Sequence, residues 1–152
     1  MKKILETFGE EETRDLGREL GKTAVPGEVI CLDGDLGVGK TVLAQGFAEG
    51  LGIAGPVASP TFTIVQTYET GRLPFFHMDV YRLEDEDELE AIGGSEMLEG
   101  DGVCLVEWGS RTAGLFPPGT LYVLIEKDLA KGTDYRRISV TDKEEWDEDH
   151  RN

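Results

Sequence analysis

The sequence predicts an α/β fold, a three-layer sandwich around a central, mostly parallel sheet, and three observations carry that expectation. Two short stretches, Val29-Ile30-Cys31-Leu32 and Val103-Cys104-Leu105-Val106, are apolar at every position, as strands are when a sheet is covered on both faces. The first stretch runs into a glycine-rich turn and then into Leu43, Phe47 and Leu51, whose i, i+4, i+8 spacing is the inward stripe of a helix. Late in the chain, Leu121 to Glu126 and Tyr135 to Val140 read as two strands joined in an antiparallel hairpin across Lys131-Gly132.

Taken in order, Thr7-Phe8-Gly9-Glu10 has the spacing of a capping box and predicts a helix start, with Leu16 and Leu20 on one face and Pro26-Gly27 beyond its end. Glu28 to Asp33 is the first buried strand. The next helix begins at Lys40, and Gly50 and Gly52 supply its stop. Gly55-Pro56 and Ser59-Pro60 break the chain before a strand over Thr61 to Tyr68, and Gly71-Arg72 turns into a second over Leu73 to Tyr81. The acidic run Glu84 to Glu88 reads as a solvated first turn of a helix carrying Leu89 and Ile92, with no catalytic role. Val103 to Glu107 is a central strand with Glu107 at its end. From Asp142 the chain is polar and is expected to fray, so the expectation is one domain over residues 1–141 and a tail over 142–152.

Composition narrows the function. A chain of 152 residues has the size of one domain, and 39% hydrophobic with 30% charged residues is a globular composition. No segment approaches the roughly 20 apolar residues of a bilayer span, and Glu6 and Glu10 interrupt the basic start, so a cytoplasmic protein that is not exported is expected. Cys31 and Cys104 lie inside apolar runs and read as buried, reduced thiols with no zinc-ligand spacing around them. The net charge of -16 repels phosphate backbones, which disfavours direct nucleic-acid binding and favours a basic protein partner.

Gly34-Asp35-Leu36-Gly37-Val38-Gly39-Lys40-Thr41 fits G-x-x-x-x-G-K-[ST] and has an apolar strand before it and a helical pattern after it. Glycines let backbone amides face phosphate oxygens, the helix adds its positive end, Lys40 adds a point charge and Thr41 offers a hydroxyl to Mg²⁺. The fold expectation becomes a P-loop NTPase-like sandwich. A nucleotide with its metal also needs carboxylates. Glu107 ends an apolar strand as in a Walker B segment, with a solvated strand end as its alternative, and Asp79 shares strand parity with His77 and Tyr81. His77 reads as a satisfied polar residue of the strand face rather than a catalyst.

With Ser59-Pro60-Thr61-Phe62-Thr63, His77-Met78-Asp79-Val80-Tyr81-Arg82 and Glu107-Trp108 added in this order and spacing, the chain resembles the TsaE family of bacterial tRNA threonylcarbamoyladenosine biosynthesis ATPases from about Glu10 to about Arg137. The resemblance implies an ATPase needed for the threonylcarbamoyl modification of adenosine 37 in ANN-decoding tRNAs, acting with the TsaD and TsaB proteins, with the transfer chemistry on TsaD and tRNA met only through the complex. It also implies that Asp35, Leu36, Gly37, Val38, Gly39, Lys40, Thr41 and Val42 hold the phosphates of ATP and that Thr41 and Glu107 hold Mg²⁺. Ser59 and Thr61 then belong to a nucleotide-sensing switch, Asp79 lies beside the metal, Trp108 lies beside the nucleotide, and Glu10 and Lys131 add nucleotide contacts. Catalysis falls to Glu107, Lys40 and Asp79. Met78, Val80 and Gly109 depart from the family pattern at positions packing tolerates.

Two other readings stay open at this stage. A small-molecule kinase would need an acceptor site and a basic lid, whereas Arg72, Arg82 and Arg111 are scattered and alternation sends Arg136 and Arg137 to opposite faces. A nucleotide-gated adaptor would need binding without hydrolysis. A GTPase is disfavoured, since no Asn-Lys-x-Asp stretch is present to read guanine.

Overall fold

The two apolar stretches lie side by side as parallel strands in the computed structural model, which describes residues 2–34, 39–55, 57 and 65–149. Along the chain the elements are β1 (Lys3–Thr7), α1 (Glu10–Thr23), β2 (Val29–Gly34), α2 (Lys40–Gly50), β3 (Val65–Tyr68), β4 (Phe75–Asp79), α3 (Glu86–Ala91), α4 (Gly94–Glu99), β5 (Val103–Glu107), β6 (Leu121–Lys127), β7 (Arg136–Thr141) and α5 (Lys143–Asp149). The strands form one sheet in the order β1-β7-β6-β2-β5-β4-β3. Its centre, β6-β2-β5-β4, is parallel. Both edges are antiparallel, the expected late hairpin among them, so the sheet is mixed around a parallel centre. The reason is connection length: β3–β4 and β6–β7 are joined by turns too short for a crossover.

Strand alternation divides the core. Ile30, Leu32, Phe75, Leu105, Val123 and Ile125 face α1 and α2, where Leu43 and Phe47 are fully buried. Val29, Cys31, Met78, Cys104, Val106 and Tyr122 face the other way, against α3, α4, α5 and the 3-10 segment Gly109–Leu115. Three layers result. Both cysteines are buried free thiols, and burial pushes Cys104 up to about 12, which keeps it protonated and inert. Among the described residues no helix is long and apolar enough to cross a membrane.

Helices α1 and α2 cross at glycines. A Cβ on Gly17 would lie 2.2 Å from the Leu43 carbonyl oxygen, on Gly21 2.2 Å from that of Phe47, on Gly46 2.1 Å from that of Arg14, and on Gly50 2.2 Å from that of Arg18. Gly50 therefore belongs to the crossing. The stop of α2 comes from Gly52, in the left-handed region at φ 79°. At the rim of the crossing, Arg14 and Arg18 both bind Glu49, at 2.6 and 3.3 Å. Arg72, one of the scattered arginines, donates to the carbonyls of Gly21, Lys22 and Ala24 at 2.7, 2.9 and 2.7 Å, satisfying acceptors that the end of α1 leaves open.

Three expectations are corrected. The capping box is not formed: Thr7 ends β1 and shares a 2.8 Å hydrogen bond with the Thr13 hydroxyl, Gly9 caps α1 without a side chain, and Glu12 rather than Glu10 accepts the Phe8 amide. Pairing of Lys3 to Thr7 with Val140 to Arg136 holds Thr7 in the sheet. That strand was not legible, because its side chains are largely exposed. Over Lys143–Asp149 the chain is helical rather than frayed: the Asp142 carboxylate accepts the Glu145 amide at 2.8 Å, and Trp146 stacks on Tyr122 with ring centroids 5.2 Å apart. Asp85 does begin a helix by accepting the Glu88 amide, and Leu89 is buried, but Ile92 is exposed.

The crossing gives the first prediction. Gly46→Val should destabilise the protein by about 1–3 kcal/mol, since the added carbon meets backbone that cannot rotate away. Urea unfolding checks it, and an unchanged midpoint would contradict the close approach.

Candidate functional site

Strand β2 ends at Gly34 and α2 begins at Lys40; Asp35, Leu36, Gly37 and Val38, like Ser59 and Thr61, lie outside the described residues. At the helix start Gly39 sits at φ 108°, in the left-handed region where glycine is favoured. The Lys40 side chain is buried and turns back to donate to the Gly34 carbonyl at 2.7 Å. Its Nζ lies 3.4 Å from the centre of the Trp108 ring, a cation–π contact. Thr41 is exposed and Val42 half-buried on the first turn of α2.

Trp108 is, among the described residues, the non-glycine at positive φ, 61°, a conformation that costs about 1–3 kcal/mol. Its amide donates to the Leu32 carbonyl at 3.0 Å, which continues the β2–β5 ladder by one residue. The chain turns there, and the indole packs against Tyr81 with centroids 4.9 Å apart.

Glu107, the residue before, pairs with Leu32 on one side and Asp79 on the other. It is only 3% exposed, and its Oε2 lies 2.6 Å from His77 Nε2. Asp79 accepts the Tyr81 amide at 2.9 Å. Burial, with the neighbouring Glu107 charge adding to it, raises the Asp79 pKa, while the Tyr81 amide, Lys40 and His77 oppose the shift. Lys40, Glu107, Asp79 and His77 are therefore brought to one end of the parallel strands. Sequence reasoning placed His77 on the face of Asp79 yet missed its bond to Glu107, which depends on β4 and β5 being neighbours in the sheet.

Hard oxygen donors from Glu107, Asp79 and the Thr41 hydroxyl suit Mg²⁺. Two adjoining carboxylates, one with its ionised form disfavoured, are what a divalent cation would relieve. Among the described residues no three His, Cys, Asp or Glu side chains form a metal-holding group.

Glu10 and Gly39 share a cleft: Gly9, Glu10, Thr13, Gly39, Val42, Asp134 and Arg136 line a space of about 90 Å³. Asp134 and Arg136 were not read as site residues, because only the β6–β7 hairpin carries them there. Lys131 lies elsewhere, its Nζ 3.3 Å from Glu6, in a separate cleft with Glu126, Tyr135 and Arg137.

The model of the family described as threonylcarbamoyl adenosine biosynthesis protein TsaE matches residues 7–138. The tRNA threonylcarbamoyladenosine biosynthesis protein TsaE of Bacillus subtilis is 47% identical over 135 residues, 89% of this chain and 82% of that protein. That of Treponema pallidum is 41% identical over 130 residues, 86% of this chain and 93% of that protein. The crystal structure of Bacillus subtilis YdiB aligns with a TM-score of 0.77 at 39% identity, over 93% of this chain and 86% of that one.

The raised Asp79 pKa has a consequence for stability. Ionised Asp79 is disfavoured in the folded protein, so its contribution is most favourable below the ordinary carboxylate range and is lost as pH rises through its folded pKa. Asp79→Asn, which keeps an acceptor for the Tyr81 amide, should raise the melting temperature of the ligand-free protein at pH 7. The gain should shrink as pH falls toward about 4. A pH-independent difference, or a less stable variant at pH 7, would contradict it.

Proposed function

The chain belongs to the TsaE family of threonylcarbamoyl adenosine biosynthesis proteins, and from that premise we propose that it is the ATP-binding and ATP-hydrolysing component required to place threonylcarbamoyladenosine at position 37 of tRNA, acting in the cytoplasm with TsaD and TsaB. The observation that carries the reading is the phosphate-loop sequence Gly34 to Thr41 between a central strand and a helix, with Glu107 ending the adjoining parallel strand. Open α/β sheets bind ligands at this end of their strands. The net charge of -16 supports meeting tRNA through protein partners rather than directly.

In this reading the amides from Asp35 to Val42 cradle the phosphates, Lys40 leaves the Gly34 carbonyl to neutralise phosphate charge, and Glu10 lies at the nucleotide cleft. Thr41 and Glu107 would hold Mg²⁺, with Asp79 as the neighbouring carboxylate, and Trp108 lies under Lys40. Such a cation would supply charge stabilisation to the phosphoryl group. Glu107 also orders the attacking water, and the Ser59–Thr61 segment senses the nucleotide. A kinase is less well supported, since Arg72 is committed to the end of α1 and Arg137 to Glu126, 2.9 Å away.

Two outcomes test this. Glu107→Ala should leave ATP affinity largely intact while partner-stimulated phosphate release falls by at least about 100-fold. Calorimetry and a phosphate assay with TsaD, TsaB and tRNA measure the pair, and normal hydrolysis would overturn the mechanism. In a Trp146→Phe background MgATP should change Trp108 fluorescence, because Lys40 moves off the indole; silence would leave Trp108 a packing residue.

A further inference from the structure

We propose that His77 is the positioning residue of Glu107, a neutral hydrogen-bond donor that holds carboxylate oxygen Oε2 and leaves Oε1 available to the nucleotide site. The proposal rests on the reading of Glu107 as a residue of that site. His77 Nε2 lies 2.6 Å from Oε2, and the two side chains are 1% and 4% exposed. A carboxylate only accepts, so the shared hydrogen sits on the ring nitrogen. The other nitrogen, Nδ1, is buried and has no hydrogen-bond partner among the described residues. A second hydrogen there would leave a charged donor buried and unpaired, the costlier arrangement. Proton accounting thus assigns the neutral tautomer with hydrogen on Nε2.

The ring plane is also fixed. Phe75 stacks on His77 at 5.7 Å and 13°, and Phe75 itself packs against Phe47 of α2 and Tyr68 of β3. A carboxylate this buried needs a donor. Lysine or arginine in place of His77 would cancel the charge that a divalent cation requires of Glu107, whereas neutral imidazole orients the group and leaves its charge intact. Outer-shell donors to metal-ligating groups act in this way. With Nε2 spent on Glu107 and Nδ1 buried, His77 has no free nitrogen for a substrate proton, so its role is positioning.

The first test uses the ligand-free protein. Nitrogen-15 NMR of the two histidines, with His77→Gln to assign them, should show His77 protonated at Nε2 and bare at Nδ1, its proton shielded from exchange. A fast-exchanging mixture of tautomers, or hydrogen on Nδ1, overturns the proposal. The second test compares variants under partner stimulation. His77→Leu should lower kcat about 10–100-fold with metal-free ATP affinity unchanged, and His77→Gln, whose amide restores a neutral donor, should recover most of the loss. A folded Leu variant with normal kcat overturns the proposal. The Glu107→Ala protein, measured beside it, then separates the cases: if inactive, only the His77 role has failed; if active, the Glu107 reading has failed with it.

Discussion

The parallel pairing of β2 with β5 is the constraint from which the site follows. Its register, Val29 with Cys104 through Leu32 with Glu107, brings the exits of two strands to the same level of the sheet. One exit starts the phosphate-loop sequence, and the other delivers Glu107 and Trp108. Because Ile30 to Leu32 and Val103 to Val106 are essentially inaccessible to water, a slip by one residue would turn apolar side chains to the wrong layer and point Glu107 away from Lys40. The burial that stabilises the sheet therefore also sets the separation of the charged groups.

Those charged groups are held against local preference. Glu107 is buried, Asp79 is half-buried beside it, and Trp108 occupies a backbone region that a bulky residue avoids. Lys40 balances part of the charge from its place between the Gly34 carbonyl and the indole. Burial of two adjoining carboxylates and a positive φ at a tryptophan are costs to the ligand-free fold.

The glycine crossing sets the other wall. Contact of α1 with α2 at Gly17, Gly21, Gly46 and Gly50 lets the backbones approach until only hydrogen atoms fit between. The start of α1, with Gly9 and Glu10, then shares a cleft with Gly39 and Val42 at the start of α2. Larger residues at the crossing would spread the helices and open the cleft. Arg72 ties the far end of α1 to the β3–β4 turn, so both ends of the helix are anchored.

Sequence alone determined the central strands, the helix after the loop and the β6–β7 hairpin, because buried strands and an amphipathic helix write their periodicity into consecutive residues. The phosphate-loop pattern, the placement of Glu107 at a strand end and the parity of Asp79 with His77 were legible for the same local reason, whereas the strand expected to run to Tyr81 ends at Asp79. Only tertiary structure decided what depends on residues distant in the chain. β1 exists because β7 offers it a partner, although few of its side chains are buried. α5 is held by a tryptophan that finds Tyr122, and Gly50 reads as a helix stop until Arg18 is seen against it. Lys131 went to Glu6, and Arg136 came to Glu10 and Gly39. The bond between His77 and Glu107 spans 30 residues, and no local pattern records it, because it is the order of strands in the sheet that makes β4 and β5 neighbours.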